Sequence, residues 1–439
     1  MAIFTGQDTG FTSRSLLRGN ASAASTPSCD VPTSPGERFL LFVTVMLYPL
    51  EAHIRVVPGV SSMFLMFAVL AGYVAINRLR CLDRVWMHPV FVAAYLFIGI
   101  SLALEFASPL SSYGNIVTFA LMIVGALFVA SLCRDRAALK MIMYGYIGAA
   151  LWLGALLFLT SYGTLSGVVA TSYADASRAR AEAFSDAPIV GNLNALAIHC
   201  AQGVVVALAF AIGSTSVWRR TFFSAIGIFC LVASSLAMSR GAIANIVVSC
   251  AVLLKAYGIR QGKTWLLVGG LAAGAAFLVP DAVWLRMTVV TERGEQGSKD
   301  TRVSFYESAI QHVDDYWFAG VGSGNYYQKW GFENGFAHQP EGAYVVYGVH
   351  NAFLQVMVFW GLIGLLPFIA LVWLAYRCLP RVYSKDSLAL GILGIAVSLF
   401  LTLPFSHDFA YKGFSLGLGM LVAYQRWLAP RNAAPPASR

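Results

Sequence analysis

Apolar segments separated by short polar connections follow one another along nearly the whole chain. Many contain about 20 apolar residues, which is the length of a helix that crosses a bilayer. They lack the alternation of apolar and polar positions that the strands of a membrane barrel show, so they are not barrel strands. Outside a barrel, a segment in lipid must form all its backbone hydrogen bonds within itself, and only a helix does so. The pattern therefore predicts an all-α integral membrane protein. Its spans, about twelve in number, are predicted at 39–52, 59–76, 89–106, 116–133, 141–162, 190–213, 221–238, 241–256, 265–284, 350–376, 387–404 and 412–428.

The connections divide the chain into unequal parts. No apolar region with a cleavage site precedes the first span, so that span is expected to act as an uncleaved anchor. Loops far longer than a connection requires usually carry function. We divide the chain into a cytoplasmic tail (1–38), spans one to nine (39–284, with an outer loop near 163–189), a large outer loop (285–349), spans ten to twelve (350–428) and a second cytoplasmic tail (429–439).

Composition agrees with this class of protein. The 439 residues are 58% hydrophobic and 12% charged, whereas a soluble domain is about 25% charged. If the N-terminus is cytoplasmic, about two-thirds of the Lys and Arg fall on the inner side, which is the usual bias of membrane proteins. The net charge of +9 is therefore a topology signal and does not indicate nucleic-acid binding. None of the seven cysteines falls in a long outer loop or forms a CxxC pair, which argues against disulfides and thiolate metal sites.

His350 opens the tenth span, and it is the first candidate for a catalytic base. An ionisable group at a membrane edge is a functional hypothesis by default, and the unperturbed pKa of histidine lies near neutrality. The competing interpretation is a polar residue at a helix start, with Asn351 helping to cap the helix. His338 lies twelve residues earlier on the same side and is the alternative base.

Three arginines on the outer side are candidates for binding an anion. Arg240 lies between two apolar spans and next to Gly241, which leaves room for a ligand. With Arg180 and Arg302 it could hold a phosphate or diphosphate, because a guanidinium presents a planar fork of donors. Arg178 is a secondary candidate. The competing interpretation of Arg240 is a side chain that extends to lipid headgroups.

The large outer loop has two further patterns. Val303, Tyr306, Ile310 and Val313 recur at helical spacing and predict an amphipathic helix at the membrane surface. The glycine cluster at 320–324 follows no strand and lacks the Lys-Ser/Thr pair of a phosphate loop, so it predicts a tight turn beneath a surface cavity. The acidic residues have no metal-ligand spacing, and we expect chemistry without a metal or other cofactor.

These residues together resemble the O-antigen ligase and polymerase superfamily of bacterial envelope glycosyltransferases. The most specific part is His350-Asn351, nine residues, then Gly361-Leu-Ile-Gly364, which is similar to the signature of the ligases. Ser239-Arg240-Gly241, the stretch from Arg302 to Asn325 and the stretch from Arg180 to Asn194 support it. The resemblance implies a GT-C-like helical fold in the inner membrane of a Gram-negative bacterium, with a periplasmic active site. It also implies inverting transfer of O-antigen polysaccharide from undecaprenyl diphosphate to a sugar hydroxyl of lipid A–core, among membrane lipids. His350 would be the base, and Arg240, Arg302 and, less firmly, Arg180 would hold the diphosphate.

Three other functions compete with the ligase. O-antigen polymerases show an arginine followed after fifteen residues by glycine in two outer loops; here Arg302 reaches Gly320 after seventeen, and neither Arg178 nor Arg180 has the glycine. Protein O-oligosaccharyltransferases share the superfamily. A twelve-span transporter would show two similar halves with binding groups at the midplane, and no such repeat is evident.

Overall fold

The computed structural model describes residues 32–50, 62–167, 172–185, 193–258, 269–270, 273, 278–288, 301–338, 345–380, 386–405 and 412–427. Within these ranges the regular structure is nearly all helical, as predicted. The helices are α1 (Pro35–Leu47), α2 (Ser62–Asn77), α3 (Leu79–Leu82), α4 (Pro89–Ala107), α5 (Gly114–Leu132), α6 (Arg136–Ser166), α7 (Tyr173–Ser185), α8 (Leu193–Ile212), α9 (Val217–Leu236), α10 (Arg240–Tyr257), α11 (Asp281–Thr288), α12 (Thr301–Gln311), α13 (Val313–Tyr316), α14 (Ser323–Asn325), α15 (Gly331–Glu333), α16 (Ala352–Arg377), α17 (Ser387–Thr402) and α18 (Lys412–Trp427). A π-helical turn covers Tyr326–Trp330, and the two-residue strands β1 (Ala337–His338) and β2 (Val345–Val346) pair antiparallel.

Seven helices in the described part of the chain are long and apolar enough to cross a membrane: α4, α5, α6, α8, α9, α10 and α16. The helices α2 and α17 are apolar but shorter. The first predicted span is a thirteen-residue helix, α1, followed by a 3-10 turn, and half of the ninth, 265–284, lies outside the described residues. The chain is an integral membrane protein, whereas the number of about twelve spans and the GT-C-like arrangement stay predictions.

Small residues let the apolar helices pack closely. A Cβ on Gly203 of α8 would lie 2.3 Å from Cβ of Ala150 on α6, and a Cβ on Gly419 of α18 would lie 2.4 Å from the carbonyl oxygen of Ala126 on α5. Close backbone approach at small residues is how helices associate where lipid supplies no hydrophobic drive. Gly203 and Gly419 therefore allow their helices to approach closely.

Ion pairs hold the end of the bundle where α1, α6 and α17 begin. The Glu37 carboxylate is fully buried and accepts hydrogen bonds from Arg78 Nε at 2.6 Å and Arg134 Nη2 at 2.7 Å. Arg136 pairs with Asp386 across α6 and α17. Arg78, Arg134 and Arg136, which the predicted topology puts on the cytoplasmic side, are therefore also ion-pair partners of acidic residues. We call this end of the bundle the ionic end.

Helix α16 is not the single straight span predicted at 350–376. At Trp360 and Gly361 the backbone leaves the helical region, with φ of −133° and +59°. The rings of Phe353 and Phe368 lie 5.5 Å apart, although fifteen residues of straight helix would separate their Cα atoms by about 22 Å. The chain therefore bends sharply into a first arm, 352–359, and a second arm, 362–377. Hydrophobic periodicity could not show this bend, because both arms are apolar.

The segment 317–322 of the large loop docks at the bend and completes its backbone hydrogen bonds. A Cβ on Gly320 would lie 2.2 Å from the carbonyl oxygen of Phe359, and one on Gly361 would lie 2.1 Å from that of Phe318. Only glycine permits this approach, and both glycines have positive φ. The four bonds are Val321 N to Val358 O (2.9 Å), Gly322 N to Phe359 O (2.9 Å), Leu362 N to Trp317 O (2.8 Å) and Ile363 N to Phe318 O (3.2 Å).

Candidate active site

His350 immediately precedes the first arm of α16 and has an unusual backbone. Its φ is +57°, and Met238 is the other non-glycine residue with positive φ in the described part of the chain. Such a conformation costs of order 1–3 kcal/mol and is found mainly where the surroundings impose it, often at functional sites. The helix cap is Asn351, whose side chain accepts from the backbone N–H groups of Phe353 and Leu354. The capping role thus belongs to Asn351, and the half-buried imidazole of His350 does not serve it.

An aromatic cluster of the large loop supports the imidazole. The ring of Phe305 on α12 stacks on His350, with centroids 6.2 Å apart and planes 10° from parallel. Tyr306 donates its hydroxyl to the His350 carbonyl oxygen at 3.3 Å. Phe336 stacks on Phe305 and on Trp330, so the cluster continues into the loop. We call Phe305, Tyr326, Trp330 and Phe336 the loop aromatic core; it fixes the orientation of His350 against the loop.

The helix predicted at the start of the loop is present as α12, at 301–311. Among the side chains that the structure describes in this helix, those of Phe305 and Ala309 are buried, whereas Tyr306 is half-buried and Ile310 is 71% exposed. The face that packs inside the protein is therefore one residue away from the predicted apolar stripe. Tyr316 follows in α13 and donates to the carbonyl oxygen of Ala309 at 2.6 Å, and burial raises the pKa of its hydroxyl.

The glycine cluster surrounds a buried carboxylate. Glu105 lies near the end of α4, is fully buried, and accepts five hydrogen bonds. Oε1 accepts from the N–H groups of Ser112 (2.7 Å) and Gly324 (2.9 Å). Oε2 accepts from Ser323 N (2.8 Å), Ser323 Oγ (3.0 Å) and Trp360 Nε1 (3.2 Å). The glycine cluster ends in the short helix Ser323–Asn325 and lies over a buried carboxylate instead of a surface cavity, so the anion that it encloses is a side chain of the protein.

Arg180 and Arg240 meet the same short junction between α9 and α10. Arg180 on α7 donates from Nε to the carbonyl oxygen of Ala237 at 3.0 Å and from Nη2 to Asn194 Oδ1 at 3.4 Å. Arg240 is the first residue of α10, three residues after Ala237, and its side chain is exposed. A Cβ on Gly241 would contact nothing within 4 Å, as expected for a glycine beside open space. Arg178 is exposed on α7.

Arg240 and His350 lie at one end of the bundle. Asn245 Nδ2 donates to the carbonyl oxygen of Ser398 at 2.8 Å, so α10 begins where α17 finishes. Phe353, in the first turn of α16, lines one cavity with Leu403, which directly follows α17. We call this end the loop end; it is opposite to the ionic end.

Two predicted site residues are described only in their backbone. Arg302 lies in the first turn of α12, three residues before Phe305, which stacks on His350. His338 lies in β1. The side chains of both are outside the described residues, so their predicted roles stay predictions.

Comparison with protein families adds a second line of argument. A family model described as O-antigen ligase matches residues 222–369. This match over part of the chain supports membership of the O-antigen ligase and polymerase superfamily. The matched segment contains Arg240, Arg302, His350 and the bend at Gly361. It leaves Arg180 and Glu105 outside. No curated protein sequence matches the chain.

Glu105 is a residue of the candidate site that the sequence patterns did not single out. It is the single charged residue in the predicted span 89–106, and an ionisable group inside a span is expected to be functional or paired. That signal was present in the sequence. The identity of its partners could not be predicted, because Ser323 and Trp360 are more than 200 residues away.

Proposed function

We propose that this protein is an O-antigen ligase of the Gram-negative inner membrane. It would transfer O-antigen polysaccharide from undecaprenyl diphosphate to a sugar hydroxyl of lipid A–core, on the periplasmic side and without a metal. The main supporting observation is the geometry of His350, whose imidazole is held by the loop aromatic core in a strained backbone conformation. A base presented at the edge of an apolar bundle suits two substrates that are both anchored in lipid.

The reaction needs one proton acceptor and a site for the departing diphosphate. In this proposal the acceptor hydroxyl oxygen attacks the anomeric carbon of the donor while His350 takes its proton. The bond from that carbon to the diphosphate breaks, and its electron pair leaves with the diphosphate. Attack opposite to the leaving group inverts the anomeric centre.

The arginines would stabilise the leaving group. Arg240 and Arg302 would neutralise the diphosphate, because fixed cations placed where charge develops lower the barrier. Arg180 would support them from the α9–α10 junction through its bond to Ala237. We assign Asn351 to capping the helix and give Arg178 no direct role.

The base is tested by substitution in purified protein, with a lipid-linked donor and lipid A–core as acceptor. We expect His350→Asn to abolish transfer, because asparagine tolerates the positive φ but is not a base. His312→Ala removes another imidazole from the same loop and should keep activity. Loss of activity in His338→Ala with retention in His350→Asn would transfer the role to His338. In the same preparation, Arg240→Ala and Arg302→Ala should weaken donor binding.

The ligase and the polymerase are separated in cells that lack the gene. Loss of a ligase leaves core without O-antigen while polymer accumulates on undecaprenyl diphosphate. Loss of a polymerase leaves core that carries a single repeat, and this result would contradict the proposal. Transfer of the glycan to a protein would instead indicate an O-oligosaccharyltransferase. Transfer in detergent, with no gradient, would exclude a transporter.

A further inference from the structure

A membrane-facing cleft separates the second arm of α16 from α17. Its part nearer the ionic end is a cavity of about 690 Å³, to which α10 also contributes. A second cavity of about 460 Å³ adjoins it and extends toward the loop end, as far as Phe353 and Leu403. The two cavities share four residues on their walls: Trp373, Tyr376, Leu379 and Val397. They therefore form one continuous cleft.

The two ends of the cleft differ in charge. Lys255 in the last turn of α10 and Arg377 in the last turn of α16 both line the larger cavity. Among the described residues that line it, none is acidic. The smaller cavity is lined by apolar and aromatic residues alone. A ligand of the cleft should therefore have an anionic group toward the ionic end and an apolar part toward the loop end.

The length of the cleft corresponds to one leaflet. From Leu393 to Leu403 on the α17 side there are ten residues, or about 15 Å of helix. The hydrocarbon core of a bilayer is about 30 Å thick, so one leaflet is about 15 Å. The stacked rings of Trp373 and Tyr376 are more than half exposed near the charged end, as interfacial aromatic residues commonly are.

We propose that this cleft binds an anionic glycerophospholipid of the leaflet at the ionic end. The headgroup phosphate would lie between Lys255 and Arg377, and an acyl chain would occupy the apolar part. The charge favours this occupant over the lipid tail of the glycosyl donor. Under the proposed function, the diphosphate of that donor would lie at the loop end, where the cleft is apolar. This proposal does not depend on the enzyme's reaction, because its test is lipid binding.

The direct experiment is native mass spectrometry of the purified full chain. The protein is mixed with phosphatidylglycerol or phosphatidylcholine of identical acyl chains, and bound lipids are counted. Two cations near a headgroup correspond to roughly a 30-fold preference for the anionic lipid. We expect the double variant Lys255→Ala/Arg377→Ala to lose most of that preference. A protein that binds both lipids equally would overturn the proposal.

Matched controls separate the cleft from general positive charge. Lys140→Ala/Arg219→Ala removes one lysine and one arginine that are exposed at the ionic end and do not line the cleft. That variant should keep the preference. If it loses as much as the cleft variant does, the cations act only as surface charge, and the proposal fails.

A second pair of variants tests the path of the acyl chain. Val397→Trp fills the cleft where the two cavities meet, whereas Val117→Trp makes the same change at a position on α5 that is 47% exposed and lines neither cavity. Only the former should remove the tightly bound lipid. Unchanged binding in Val397→Trp, or displacement of phosphatidylglycerol by a polyprenyl phosphate at equal concentration, would contradict the assignment.

Discussion

The substitution Glu105→Gln should release the large loop from the bend in α16. All five hydrogen bonds to this carboxylate come from N–H or O–H donors, so both oxygens must accept. A glutamine has almost the same shape but replaces one oxygen with an amide nitrogen that can only donate. If it replaces Oε1, the N–H groups of Ser112 and Gly324 lose their acceptor and face another donor.

The free-energy cost of Glu105→Gln follows from the number of hydrogen-bond donors that lose their acceptor. Each buried donor left without a partner costs about 1–3 kcal/mol, so two cost about 2–6 kcal/mol. If the nitrogen replaces Oε2, three donors lose their acceptor and the free-energy cost is larger. The lower figure already corresponds to a roughly 30-fold shift in the docking equilibrium of the loop.

Hydrogen exchange of the backbone amides measures this equilibrium directly. In the parent protein the amides of 321–324 and of Leu362 and Ile363 are hydrogen-bonded and should be protected. In Glu105→Gln we expect these amides to exchange at least about 30-fold faster, because exchange reports local opening. Transfer activity should fall with them, because the same loop carries Phe305 and the loop aromatic core.

Two controls accompany the measurement. Glu333→Gln makes the same isosteric change at an exposed position of the same loop and should leave exchange unaltered. Amides of α8, far along the chain from the loop, should also be unaffected. Unchanged protection of 321–324 in Glu105→Gln would refute the argument that this carboxylate holds the loop.

Two further predictions concern stability. Gly361→Ala should unfold at markedly lower temperature, because its Cβ would lie 2.1 Å from a loop carbonyl oxygen at positive φ, whereas Gly99→Ala, with nothing within 4 Å, should not. Equal melting temperatures of Gly361→Ala and Gly99→Ala would contradict a close approach at the bend. Glu37→Gln should lower the free energy of unfolding by about 3 kcal/mol or more, because two arginines lose a buried partner. Asp386→Asn, in a pair whose arginine is 47% exposed, should cost no more than about 1 kcal/mol in the same thermal measurement.

The sequence predicted the class of fold well because lipid imposes a simple rule on it. Continuous apolar stretches must be helical in a bilayer, and the seven long apolar helices of the described structure coincide with predicted spans. The loop helix α12 and the turn at the glycine cluster could also be predicted from the sequence, because local periodicity and glycine content determine them.

The arrangement of the candidate site could be predicted from the sequence only in part. Spacing and residue type drew attention to His350, Asn351 and Arg240, but not to the bend between Trp360 and Gly361. That bend depends on a loop segment forty residues earlier in the chain, which supplies the missing hydrogen bonds. Long-range partners of this kind leave no periodic trace in one sequence. The same reason explains why Glu105, a visible anomaly in an apolar span, had no predictable role.

Because of the bend, the nine residues between Asn351 and Gly361 also determine the direction in which His350 points around the helix axis. The first arm is a helix pinned at one end by the docked loop, so each residue in it adds about 100° of rotation and 1.5 Å of rise. One inserted residue would turn His350 about a quarter-circle away from the ring of Phe305, with every neighbouring side chain unchanged. The number of residues in the motif thus fixes the orientation of the imidazole relative to the end of the arm that the loop holds. Chains that keep both residues but change the interval by one should lack the stacked histidine.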